Sequence, residues 1–277
     1  MAVRLIALDL DGTLFTEDKN ISEENQKVIR EALERGIEIV IATGRPANGI
    51  PAELFREMGV RYVISLNGSC VCRLQDGAHI YEERMDTEDA CELVRMCLEY
   101  RVYLSVFAGE KSCVQRDAED LLDQMGFPAV LYEYIKKTRT YVDDLPAYLR
   151  TSGDPIYKVV MNFIPLPDGS YLDYDVLRDR IDVDERFDQV DGGGHNMEVT
   201  KAGVSKGKAF RWLAEELGIP IEETMACGDT ENDIEIIRAA GIGVAMGNAG
   251  EKVKENADFV TKSNMEDGVA YAIRRFW

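Results

Sequence analysis

Residues 5–8, Leu5-Ile6-Ala7-Leu8, are apolar without interruption and stop at Asp9. A short run of this kind, ended by acid and glycine, predicts a strand buried on both faces with Asp9 at its C-terminal end. After a polar loop, Ser22 is placed to cap a helix starting near Glu23. Val28, Ile29, Ala32 and Leu33 form the apolar face of that helix, and Gly36 stops it. Residues 37–41 predict a second buried strand, leading into Ala42-Thr43-Gly44-Arg45. A helix is expected between Pro51 and Met58, then a strand over 62–65. Strand, helix, strand, helix, strand is the pattern of a parallel sheet covered on both faces.

Asn67-Gly68 is followed by two short strand-like segments around Asp76-Gly77, which predicts a hairpin. Past Glu83 the rhythm changes. Ala90, Leu93, Val94, Cys97 and Leu98 trace one face of a helix, and strands are expected over 103–107 and 157–163. This mixed stretch reads as α+β and closes at the run Gly192-Gly193-Gly194, a flexible segment suited to a domain crossing. Helix over 205–217, strand over 224–227, helix over 233–240 and strands over 242–246 and 259–261 then resume the earlier rhythm. The expected fold is α/β, a doubly wound parallel (Rossmann-like) sheet core. Residues 1–85 and 194–277 form that core and 86–193 an inserted α+β domain. No internal repeat is visible.

Charge narrows the possible partners. Acidic residues outnumber basic ones, 51 against 32, for a formal net charge of −19. Such a field repels nucleic acid and anionic membranes. It also repels a phosphorylated ligand, so a phosphate site in this chain needs local positive charge. No stretch approaches the roughly 20 apolar residues of a membrane span, and the run from Val3 to Leu8 is broken by Arg4 and too short for a signal-peptide core. The six cysteines show no C-x-x-C spacing and only two histidines are present, so neither a zinc site nor a disulfide framework has strong support. Cys70 and Cys72 could bind metal, but two residues alternating onto one strand face is the simpler account. These features predict a cytoplasmic protein with reduced thiols. The oligomeric state is not legible.

Chemistry gathers at expected strand ends, which is where open parallel sheets hold ligands. Asp9 and Asp11 follow the first strand. Unpaired carboxylates are costly to bury, so they must face a cation, donors or water; a turn with an Asp cap is the competing account. Gly228-Asp229-Thr230-Glu231-Asn232-Asp233 follows another buried strand and opens a helix. Its carboxylates suit a hard cation, although an acidic first turn also favours a helix dipole. Thr43 ends the second strand, and Lys206 sits at a helix start, against the dipole.

Together, Asp9-Leu10-Asp11-Gly12-Thr13, Thr43, Lys206 and Gly228-Asp229-x-x-Asn232-Asp233 resemble the four motifs of the haloacid dehalogenase superfamily, in the family's order. Ala42-Thr43-Gly44-Arg45-Pro46, Asn67-Gly68 and residues 243–249 resemble its Cof-type (class IIB) branch, which inserts a large α/β cap where the α+β stretch falls here. The resemblance covers residues 1–84 and 195–277, and matches the cap in position and size only.

The resemblance implies a phosphatase acting on small phosphorylated metabolites: sugar phosphates, nucleotides or phosphorylated cofactors. Asp9 is then the nucleophile that forms an aspartyl-phosphate, and Asp11 the acid and base. For the first task Asp11 must be protonated when substrate binds. Mg²⁺ is expected at Asp9, the Asp11 carbonyl and Asp229, with Asp233 orienting a metal-bound water. Thr43 and Lys206 are expected to hold the phosphoryl oxygens, with Gly44, Arg45, Asn67 and Asn232 as further substrate contacts. A cap that closes over the site and sets substrate choice is also implied. A phosphomutase on the same scaffold and a non-catalytic binding module are the alternatives. Carbon–halogen hydrolysis is disfavoured, because that branch lacks the second acid, present here as Asp11.

Overall fold

The computed structural model describes residues 2–192 and 196–277. In chain order the elements are β1 (Leu5–Leu8), α1 (Glu23–Glu34), β2 (Glu38–Ala42), α2 (Ala52–Met58), β3 (Tyr62–Ser65), β4 (Cys70–Arg73) and β5 (His79–Glu82). There follow α3 (Thr87–Cys97), β6 (Val102–Ala108), β7 (Lys111–Gln115), α4 (Glu119–Leu122), α5 (Ala129–Thr138), β8 (Arg139–Val142), α6 (Leu145–Ser152), β9 (Ile156–Phe163), α7 (Tyr174–Asp182), β10 (Phe187–Asp191) and β11 (Asn196–Lys201). The chain ends with α8 (Lys206–Glu216), β12 (Thr224–Gly228), α9 (Ile234–Ala239), β13 (Ile242–Ala245), α10 (Glu251–Lys254), β14 (Phe259–Val260) and α11 (Gly268–Phe276). Residues divide into two compact units, Met1–Glu82 with Val204–Trp277 and Glu83–Gly203.

The first unit is an eight-stranded sheet in the order β14-β13-β12-β1-β2-β3-β4-β5. Its pairs are parallel from β14 to β3, and β4 and β5 add as antiparallel strands. Every residue of β1 and β2 is buried, which is why these strands lack polar alternation. Successive side chains nevertheless serve opposite faces. Ile6, Leu8, Ile39, Ile41 and Val63 pack with Val28, Ile29 and Ala32 of α1 and Val269 and Ile273 of α11. Leu5, Ala7, Val40, Ala42 and Ile64 pack with Phe210 and Leu213 of α8 and Ile236 of α9. Ser22 caps α1 by accepting from the Asn25 N–H, a contact worth about 1 kcal/mol.

The second unit is a six-stranded sheet, β10-β11-β9-β6-β7-β8, antiparallel except for β7 with β8. Leu104, Val106, Val159 and Met161 pack on one face with residues of α3, α6 and α7. Tyr103 and Val114 pack on the other with Leu122 and Ile135. β11 pairs with β9 and β10, so it belongs to this unit and the chain leaves it after Gly203. The glycine run expected to mark the crossing lies upstream, and its residues 193 and 194 are outside the described residues. The pairing of β11, which the glycines hid, explains the difference.

Smaller differences have local causes. The helix expected from Asp233 begins as a 3₁₀ turn over Glu231–Asp233, because Asp233 accepts main-chain N–H groups just before it. Ser205 caps α8 rather than entering it, accepting from the Lys208 N–H. No described helix is long and apolar enough to cross a membrane.

Candidate active site

The ends of β1 and β12 are adjacent: Leu8 is in register with Cys227, and the Asp9 N–H donates to the Cys227 carbonyl at 3.1 Å. Asp9 and Asp229 therefore leave the sheet side by side. Behind them the chain turns within a few residues, with the Leu14 N–H returning to the Asp9 carbonyl. Gly12 makes this turn possible. Its φ is +88°, and a Cβ there would lie 2.2 Å from Asp229 Oδ2. Only a residue without a side chain lets the loop after β1 press on that carboxylate.

Asp233 is fully buried and accepts from several donors. Its Oδ2 takes the N–H groups of Asp229 and Thr230 at 3.0 and 3.1 Å, fixing the loop after β12. Its Oδ1 takes the ammonium of Lys206 at 2.6 Å. The same Nζ reaches Asp9 Oδ1 at 2.8 Å and Asn232 Oδ1 at 3.5 Å. Lys206 arrives here because α8 packs very tightly. A Cβ on Gly207 would meet the Glu235 carbonyl at 2.6 Å, and one on Gly68 the Ser205 carbonyl at 2.1 Å. Asn232 in turn donates to Asn67 Oδ1 at 3.4 Å, and Asn67 sits in a left-handed conformation, φ +58°.

Oxygen atoms of Asp9, Asp229 and Asp233 all lie within 4.8 Å of one another. Three carboxylates thus face one ammonium in a buried space, and the electrostatics show the strain. Burial, then the neighbouring Asp233 charge, push the Asp9 carboxyl well above its usual range, against the opposing pull of Lys206. Burial likewise raises Asp229 to about 6, although Thr13 Oγ1 donates to it at 2.6 Å. Lys206 moves the other way. Burial lowers it, but Asp233 and Asp9 outweigh burial and hold it charged above the ordinary lysine value. An all-oxygen cluster with surplus negative charge is the donor set a hard divalent cation prefers, so these residues fit Mg²⁺.

Asp11 lies apart from this cluster. Both its oxygens are taken by Arg45, at 2.7 Å from Nε and 2.6 Å from Nη2, and Lys19 adds a contact at 2.7 Å. Burial would raise its pKa, but these hydrogen bonds win and hold it below the usual value. In this arrangement Asp11 is ionised. The bidentate guanidinium is the reason, and the protonated state is the one expected once substrate binds. Arg45 also rests over the Phe15 ring.

Thr43 is buried at the end of β2, where its N–H donates to Ile64 O and its Oγ1 accepts the Arg45 N–H at 3.2 Å. Gly44 links the two. The structure thus joins Asp9, Asn67, Lys206, Asn232, Asp229 and Asp233 by direct contacts or shared oxygens, and ties Thr43, Arg45 and Asp11 into a second group. Three participants were not singled out from sequence. Thr13, on Asp229, lies inside the quoted Asp9–Thr13 motif. Asn248, donating to the Gly12 carbonyl at 2.8 Å, lies inside the quoted stretch 243–249. Lys19 carries no sequence signal, since a lone lysine in a polar loop is common.

Comparison with known proteins places these features in context. A family model described as haloacid dehalogenase-like hydrolase matches residues 6–273. The phosphatase YwpJ of Bacillus subtilis is 32% identical, the match covering 98% of this chain and 99% of that protein. Another B. subtilis protein, the 5-amino-6-(5-phospho-D-ribitylamino)uracil phosphatase YcsE, is 31% identical over 99% of this chain and 96% of its own length. Among solved structures, a haloacid dehalogenase-like hydrolase from B. subtilis superposes with a TM-score of 0.85 at 30% identity, covering 99% of this chain and 100% of that one.

Proposed function

Because this chain belongs to the haloacid dehalogenase-like hydrolase family, we propose that it is a Mg²⁺-dependent phosphatase that cleaves small phosphate monoesters through an aspartyl-phosphate on Asp9. The observation that carries the reading is the buried convergence of Asp9, Asp229, Asp233 and Lys206 at the ends of β1 and β12.

Asp9 is the nucleophile. One carboxylate oxygen attacks phosphorus, the ester P–O bond breaks, and the departing alkoxide takes a proton from Asp11. Water then attacks the acyl phosphate, gives its proton to Asp11, and the bond to Asp9 breaks. Lys206 holds Asp9 by one oxygen, which leaves the other to react. Its charge also offsets that of the transferring phosphoryl group, as Thr43 does with its hydroxyl. Asp233 orients Lys206 and the loop carrying Asp229. When bound at Asp9, Asp229 and the Asp11 carbonyl, beside Asp233, a divalent cation supplies the positive charge that three crowded carboxylates and a phosphate dianion lack. Arg45 and Lys19 release Asp11 for its acid role by turning to the substrate or to solvent.

Substrates are small phosphorylated metabolites. The likeness to a relative named for a phosphorylated ribityl-aminouracil puts that class of sugar-phosphate-bearing heterocycle on the panel, beside hexose phosphates, nucleotides and pyridoxal phosphate. Inorganic phosphate release is measured with Mg²⁺ and with chelator. Metal-dependent turnover of at least one monoester is expected. Release that is unchanged by chelator, or absent from every substrate, sinks the reading.

The raised carboxyls give a pH signature. Asp229 titrates near 3.8 when unfolded and near 6 in the metal-free fold. The folded state therefore binds the proton more tightly, and the cost of stripping it grows from pH 3.8 to 6 and is complete above that. The shift corresponds to roughly 3 kcal/mol at neutral pH. Mg²⁺ competes with that proton, so its stabilising effect is expected to grow between pH 5 and 7.5. Urea unfolding with and without Mg²⁺ at both pH values checks this; equal stabilisation at the two would contradict it.

A further inference from the structure

The β4–β5 hairpin carries a second group of metal-ligating side chains, chemically unlike the first. The Cys70 Sγ, a His79 ring nitrogen and a Glu82 carboxylate oxygen lie within 4.8 Å of one another. His79 and Glu82 are three residues apart, and in a regular strand they would face opposite sides. A bulge prevents this. Val71 pairs with Tyr81 and Cys72 with His79, so β5 carries one extra residue at this point. The bulge turns His79 and Glu82 to the same side, where His79 Nδ1 meets Glu82 Oε1 at 2.8 Å. Cys70 lies directly opposite Glu82 in the register. The thiol is buried, while the imidazole and carboxylate keep 28% and 20% of their side-chain surface exposed, which leaves an entry path.

From this geometry we infer that Cys70, His79 and Glu82 bind a borderline transition-metal cation, Zn²⁺ by ligand type. One sulfur, one imidazole and one carboxylate form a three-residue donor set with a fourth position left for water. Around tetrahedral Zn²⁺ neighbouring ligand atoms sit roughly 3.3–3.7 Å apart, so atoms now within 4.8 Å of one another need to close by about 1.5 Å at most. Binding displaces the thiol proton to solvent, so affinity rises with pH. Hard Mg²⁺ prefers the all-oxygen cluster and does not compete for the thiolate. The metal pins β5, the edge strand of the eight-stranded sheet, to β4, and the net charge of −19 raises the local concentration of any divalent cation.

The test uses the full chain in excess Mg²⁺, titrated with Co²⁺ and then with Zn²⁺ in competition. The expected result is a near-ultraviolet sulfur-to-cobalt charge-transfer band, saturating at one equivalent and erased by Zn²⁺. An oxygen-only site cannot produce that band. Cys70→Ser should abolish it, and His79→Ala should weaken binding at least tenfold to a hundredfold, since even outer-sphere partners cost that much. His79 is exposed, so its variant reports even where Cys70→Ser folds poorly. Absence of the band, a band indifferent to His79→Ala, or one lost in Cys72→Ser yet kept in Cys70→Ser would each overturn the assignment and leave a hydrogen-bonded polar patch.

Discussion

Asp9→Asn lowers phosphate release by about 10⁴-fold or more, the scale on which enzymes lose turnover when a nucleophile is removed. The protein stays folded. Asn has the same shape, and Asp233 continues to hold Lys206. The substitution also removes one negative charge from a buried site where ionisation of Asp9 is already opposed by burial and by Asp233. Stability without metal should therefore be equal to or above that of the parent. This opposition of sign separates a chemical role from a structural one. Multiple-turnover phosphate release in saturating Mg²⁺, with thermal melts of both proteins, measures the two together. Full activity in the variant removes the nucleophile from the mechanism; a collapse of the fold would show that Asp9 acts in the structure instead.

Lys206→Met should fail in the other direction. Lys206 is 1% exposed and bridges two carboxylates. Removing one partner of a buried ion cluster costs about 3–5 kcal/mol, because the remaining charges stay buried. The sign with pH follows from the pKa directions. The lysine is held above its ordinary value, so its contribution is fully present below 10.5 and fades only above the raised folded value. Asp9 is shifted upward, and in the variant it accepts a proton more readily as the pH falls. The deficit is therefore largest near pH 8 and shrinks by pH 5. Urea unfolding of parent and variant at the two pH values tests this, and indistinguishable stabilities at pH 8 would rule it out. Turnover should fall as well, since Asp9 loses its orienting contact.

These effects depend on geometry that was only partly legible in the sequence. The unbroken run at 5–8 carried its own explanation, since both faces of β1 are covered and alternation has no purpose there. The Ser22 cap and the apolar faces of α1 and α8 were legible for the same reason: each is set within a dozen residues. Long-range placement was less so. That Asp9 and Asp229 emerge side by side could be argued from a parallel sheet, but the contact of Lys206 with both Asp9 and Asp233 depends on how closely Gly68 and Gly207 let α8 approach. The partners of Asp11 were hidden because Arg45 and Lys19 reach it from loops without periodicity. The membership of β11 was hidden because strand pairing is a property of two segments, and the glycines before it gave a stronger local signal. The bulge in β5 was invisible too, since one extra residue in a short strand leaves no compositional trace.

The first residue of the second unit, Glu83, pairs at 2.8 Å with Lys201, which stands two residues before the unit's end at Gly203. Its two connections to the rest of the chain are thus neighbours in space, the condition under which a domain can be spliced into another with little disturbance. For protein engineering, residues 83–203 amount to a cassette. Exchanging it for the corresponding piece of a relative, with the Glu83–Lys201 clasp retained, leaves the carboxylate cluster and its lysine on their original backbone. A chimaera series of that kind would test whether substrate choice travels with residues 83–203, without a single substitution in the carboxylate cluster.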